Sequence, residues 1–242
     1  MRVWGMVSRD PIADLRRRLG RGAKSRAGVR SIVRLWWSDH GFADHPASVG
    51  KRIALALLER KAIEDKLAAM IVLGELLGEQ LRASDLPGFA RLFVRRYLED
   101  DVIVDAFATR VLGALLEREA GRDEVIRSLA QWRTATTIWQ RRAACMAFAR
   151  LAPLGDAVPS LTDAILQVCA SVVWSHEPFD QSAVALVLRE LSRAEPVCVE
   201  AFIRRYARLM SKACARQAVS KLPAASRAEL LADHHRATTI RR

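Results

Sequence analysis

The chain of 242 residues is 51% hydrophobic and carries a formal net charge of +12, which is enough apolar material for one sizeable core or one continuous array of repeats. No apolar run reaches the length of a membrane span and the first ten residues lack the apolar stretch of a signal peptide, so a cytoplasmic protein with no membrane partner is expected. Cys145, Cys169, Cys198 and Cys214 form no C-x-x-C pair and the five histidines are scattered, which predicts buried free thiols, no metal site and no cofactor.

The chain opens with a predicted N-terminal helix and linker over residues 1–27, and Gly20 to Gly28 is its most linker-like stretch. A single domain over 28–235 and a basic tail over 236–242 follow. Apolar residues recur three and four apart through Ile53–Leu58, Ile63, Leu67 and Met70–Ile71, the period of an amphipathic helix. The pattern returns at Phe89, Leu92 and Phe93, from Val102 to Leu116, from Ile138 to Leu151, from Leu161 to Val173 and from Val184 to Leu191. No alternation of period two and no Asn-Gly or Asp-Gly hairpin signal appears. The prolines fall where helices begin or end, and Ser84-Asp85 and Ser226 read as N-terminal caps. Asp100 and Asp101 suit the positive end of a helix. The fold class that results is all-α, with roughly a dozen helices of about 10–17 residues. Their spacing suggests HEAT-like repeats of about 35–45 residues, a solenoid (α-α superhelix) with a concave basic face, and a compact helical bundle is the alternative.

Charge is uneven: residues 1–52 carry +8, residues 53–188 carry −3 and residues 189–242 carry +7. Of the 39 basic residues 33 are Arg, whose planar fork matches phosphate. A GC-rich genome would explain Arg over Lys but not the net excess. A polyanion partner follows, and nucleic acid is the commonest one.

Three segments carry a resemblance. They are Thr137-Ile-Trp-Gln-Arg-Arg-Ala-Ala144, then Glu177-Pro-Phe-Asp-Gln-Ser-Ala183 with Val187-Leu-Arg-Glu190, and then Ser211-Lys212 with Arg216-Gln-Ala-Val219. Together they resemble the DNA alkylation repair family, the AlkD type of HEAT-like DNA glycosylases, over about residues 30–225. The resemblance implies a monomeric enzyme that hydrolyses the N-glycosidic bond of cationic N3- or N7-alkylated purines in double-stranded DNA, without a lyase step. Alignment on Val-Leu-Gly113 puts Asp105 at the family's catalytic position. The resemblance assigns DNA contacts to Arg142 and Arg189, and to Arg141, Lys212 and Arg216 beside them; a structural ion pair is the other reading for the arginines. Glu190 is a structural partner in this reading, and Trp139 belongs to the core. Asp101 and Leu186 stand where the family carries two tryptophans that pack on the lesion nucleotide, and Phe107, Trp36 or Trp37 are the candidates for a replacement aromatic surface. Asp101, one helical turn from Asp105, should push the carboxylate's pKa up. Two other functions remain open: a paralogue that binds damaged or branched DNA without cleaving it, and a scaffold whose arginines meet an acidic protein.

Overall fold

The computed structural model describes residues 10–22 and 25–239. It is all-α, with fourteen α-helices and no strand among those residues. No helix among them is long and apolar enough to cross a membrane. The described chain falls into two compact units, one of residues up to 81 together with 95–98, the other of 82–94 and 99 onward.

The first unit holds α1 (Pro11–Gly22), α2 (Arg26–Asp39), α3 (Ala47–Leu58) and α4 (Ile63–Ile71), which runs on through a π-helical turn at Val72–Leu76. The expected linker is mostly helix. Gly20 and Gly22 close α1, Gly28 lies in α2, and Ser25 caps α2 by accepting the Gly28 N–H at 3.1 Å. A capping hydroxyl and two helix-forming flanks outweigh the glycines there. The N-terminal helix is also not a separate appendage, because α1 packs on α2 and the Trp36 indole N–H donates to the Pro11 carbonyl at 3.0 Å. Trp36, Trp37 and Phe42 form an aromatic core in this unit. Lys66 is buried and donates its ammonium to the carbonyls of Leu58 and Tyr97, tying the 95–98 segment to α4. Burial pushes the Lys66 pKa down, as expected for a cation removed from water.

The second unit holds α5 (Leu86–Val94), α6 (Asp101–Phe107), a π-helical turn at Ala108–Leu112, α7 (Gly113–Glu117), α8 (Arg122–Gln131) and α9 (Ile138–Met146). It continues with α10 (Leu161–Val172), α11 (Pro178–Leu191), α12 (Pro196–Tyr206), α13 (Lys212–Ala218) and α14 (Ala224–Thr239). One layer stacks α6, α9, α11 and α13 side by side; a second sets α8 against α10 and α12 against α14. This is the two-layer build of a helical repeat. Prolines act as expected: Pro11, Pro178 and Pro196 open α1, α11 and α12, where the missing N–H costs nothing. Two expected caps act differently. Asp85 accepts the Arg82 N–H at 2.8 Å, reaching back three residues. Ser226 lies inside α14, which starts at Ala224 directly after Pro223.

The corner between α9 and α10 depends on Gly155, whose φ of 49° and ψ of −135° suit glycine alone. A Cβ there would lie 2.8 Å from Ala194 Cβ and would also collide with the Glu195 carboxylate, which accepts the Asp156 N–H at 3.0 Å. Gly155→Ala should lower the unfolding free energy by about 1–3 kcal/mol, read as a lower denaturation midpoint at unchanged slope; an unchanged midpoint would show that the corner is not strained.

Candidate functional site

Helix α9 lies between α6 and α11, and its consecutive arginines serve the two flanks. Residues one apart on a helix point about 100° apart. Arg141 therefore turns to α11, where its Nε and Nη2 donate to Asp180 Oδ2 at 3.0 and 2.7 Å and its Nη1 donates to the Ala135 carbonyl at 2.9 Å. Asp180 has no solvent exposure, and burial raises its pKa against the lowering effect of hydrogen bonds from Ser175 and Arg141.

Arg142 turns to α6. Its Nε donates to Asp105 Oδ1 and its Nη2 to Asp105 Oδ2, both at 2.7 Å. Its Nη1 donates to the Phe179 carbonyl at 2.6 Å and the Ser182 hydroxyl at 2.7 Å, both on α11. One guanidinium thus joins three helices within their first two turns. It is only 4% exposed, so the residue expected to face DNA spends its donors inside the protein.

Asp105 is the more open partner, with its side chain 27% exposed. The fork holds both oxygens in one plane, and each keeps a second lone pair. Burial raises the Asp105 pKa and outweighs the lowering effect of Arg142; Asp101 and Asp100 push it the same way as burial. The repulsion expected from Asp101 is therefore present and secondary. Asp100 caps α6 by accepting the Ile103 N–H at 3.0 Å. Just after Asp105 the helix widens into its π turn, and the Thr109 hydroxyl donates to the Asp105 carbonyl at 2.6 Å.

Arg189 pairs with Glu190, its sequence neighbour, at 2.8 Å, and Lys221 donates to both Glu190 oxygens at 2.7 Å. Partial burial pushes the Glu190 pKa up, but Lys221 and Arg189 prevail and hold it below the ordinary value. Lys212 and Arg216 on α13 are exposed, with no ion pair among the described residues. Asp101 and Leu186 are both half-exposed and bring no ring.

None of the three expected replacement aromatics supplies a surface. Phe107 is fully buried against Phe89 and Phe93, and Trp36 and Trp37 are core. The two helices joined by Arg142 on this side also carry a ring pair, Trp139 on α9 with Phe179 on α11, their centroids 4.9 Å apart. Trp139 is half-buried, and Phe179 is 38% exposed while its carbonyl holds Arg142. Sequence reading missed Phe179, Ser182, Asp180 and Lys221 as partners. Their types are ordinary, and only packing reveals which carboxylate meets which guanidinium. Among the described residues no group of three or more His, Cys, Asp or Glu side chains is placed to hold a metal ion.

Residues 24–222 match the family model described as DNA alkylation repair enzyme. The chain belongs to this DNA alkylation repair enzyme family. No curated protein matches it. The match spans all the elements that build the Arg142–Asp105 pair, from α2 to the turn before α14. Membership makes a role in repair of alkylated DNA the function of this family member, with DNA its substrate.

The ion pair has a stability consequence. Removing one partner of a buried pair leaves the other without its charge complement; because Asp105 keeps some water, the loss should sit below that of a fully enclosed pair. Arg142→Ala should cost about 2–3 kcal/mol of unfolding free energy. The double variant with Asp105→Asn should cost less than the sum of the two single variants. Strict additivity would contradict a direct pairing in solution.

Proposed function

We propose that the protein is a monofunctional DNA glycosylase for purines alkylated at N3 or N7, with Asp105 as its catalytic carboxylate. The observation that carries this reading is a single partly open aspartate, clamped in a fixed plane by a guanidinium that is itself enclosed. An alkylated purine of this kind is already cationic. Its C1′–N bond breaks with the electron pair departing on the base, which leaves neutral and needs no proton. Positive charge then develops on the sugar, and a carboxylate fixed beside it stabilises that charge without reorganising. Water adds to C1′ and passes its proton to Asp105 and on to solvent, leaving a free base and an abasic site.

In this reading Arg142 is a positioning residue. It holds Asp105 and, through Phe179 and Ser182, keeps α11 in place beside it. Arg141 does the same for α11 through Asp180. Contacts with phosphate fall to the exposed Lys212 and Arg216, with Arg189 shared between Glu190 and the DNA. The ring contribution that tryptophans at 101 and 186 would make falls to Phe179, backed by Trp139.

The test is single-turnover release of 7-methylguanine from duplex DNA. Wild type should release base, and Asp105→Asn should be slower by about 100-fold or more. Tight DNA binding without release by wild type would favour the second reading, a binder of damaged DNA that does not cleave, which the absent rings at Asp101 and Leu186 support.

The rate should also depend on pH with a definite sign. Only the ionised carboxylate can stabilise the sugar cation, and the Asp105 pKa is raised. Enzymatic release, corrected for acid depurination, should fall as pH drops through a midpoint above that of an ordinary aspartate. A rate that stays flat down to the ordinary aspartate midpoint would remove Asp105 from the rate-determining step.

A further inference from the structure

The turn between α10 and α11 carries Trp174, which is 64% exposed. A lone exposed tryptophan is unremarkable on a flexible loop, but this one stands on backbone that is locked on both sides. The buried side chain of Gln181, one turn into α11, donates its amide to the carbonyls of Val173 and Ser175 at 2.8 and 3.0 Å. The Ser175 N–H also donates to the Val172 carbonyl at 3.0 Å, and the Glu177 N–H to the Ser175 hydroxyl at 3.3 Å. Ordering this turn while leaving most of an indole in water gives up apolar burial that a core position would provide.

The same amide fixes a second turn. The two hydrogens of Gln181 Nε2 are shared with a third acceptor, the Leu209 carbonyl at 3.1 Å, and its Oε1 accepts the Ser211 N–H at 3.0 Å. Leu209 and Ser211 lie between Arg208 and Lys212, both exposed and without an ion pair among the described residues. One buried glutamine therefore fixes two neighbouring turns, one carrying an exposed indole and the other a pair of cations without an ion pair among the described residues. They lie at the end of α11 where Phe179 and Ser182 meet Arg142.

We infer that Trp174 is a nucleic-acid contact: its indole stacks on a nucleobase or packs on a sugar of the bound strand while Arg208 and Lys212 hold the flanking phosphates. The occupant follows from chemistry. A pre-ordered π-face tolerates any base, and paired cations one short turn away suit a phosphodiester backbone. This inference rests on the reading of the protein as a DNA-repair enzyme and adds to it a contact outside the Asp105 site.

The test measures affinity of wild type, Trp174→Ala, Trp174→Phe and Lys212→Ala for an undamaged and a 7-methylguanine-containing duplex, each at several salt concentrations. Trp174→Ala should keep the wild-type melting temperature, because the ring is in solvent. It should weaken binding by about 5–50-fold at unchanged salt slope, and Trp174→Phe should restore part of that loss. Lys212→Ala should lower the slope by about one. If wild type binds DNA with steep salt dependence and Trp174→Ala binds equally well, the inference fails and the repair reading stands. If wild type shows no salt-dependent DNA binding, both fail, and the exposed tryptophan belongs to a protein-facing surface.

Discussion

A guanidinium sealed from water must be neutralised and hydrogen-bonded where it lies, and Arg142 meets that requirement by drawing three helices together. Asp105 supplies the countercharge from α6, while Phe179 and Ser182 supply neutral acceptors from α11. None of these helices can move away by about an ångström without leaving a buried donor unpaired, which costs about 1–3 kcal/mol per group. The carboxylate is consequently held in place by structure that its own exposure would not provide. That rigidity suits the role proposed for Asp105, facing a developing cation at a fixed distance.

The same logic repeats along the layer. Arg141 neutralises the enclosed Asp180, and Gln181, the next residue, satisfies carbonyls on two turns and one backbone N–H. Asp180, Gln181 and Ser182 therefore act in three directions from one turn of α11, as the 100° step between helical neighbours requires. Phe179 adds a partly exposed ring that packs on Trp139. Polar groups in this layer do not compensate for a weak core, since Ala143, Ala144, Val184, Ala185 and Leu188 are buried beside them. They fix the relative position of helices whose apolar contacts alone would allow sliding.

Much of this was legible in the sequence. The apolar period gave the helices, and the prolines gave several of their first residues. The motif around Thr137–Ala144 and that around Glu177–Ala183 lie on the two helices that carry the site. Alignment on Val-Leu-Gly113 pointed to Asp105. Ion pairing was less legible: the resemblance assigns Arg142 to DNA with a structural ion pair as the other reading, and only the packing of α6 against α9 shows that Asp105 is its partner. The replacement aromatic was misplaced for a related reason. Phe107 follows Asp105 closely in sequence, but two residues along a helix is the opposite face, so its ring enters the core with Phe89 and Phe93. Three glycines suggest a loop over residues 20–28, but among the described residues 20–22 end α1 and Ser25 caps α2, which begins at Arg26; residues 23 and 24 lie outside the described residues.

In the proposed mechanism Arg142 acts through Asp105 and not on the DNA itself, and the salt dependence of DNA affinity for Arg142→Ala tests this most directly. At saturating DNA the variant should release alkylated base at least about tenfold more slowly, while its affinity keeps the wild-type slope against salt. A slope lower by about one, with base release otherwise intact, would place Arg142 on a phosphate and contradict the account.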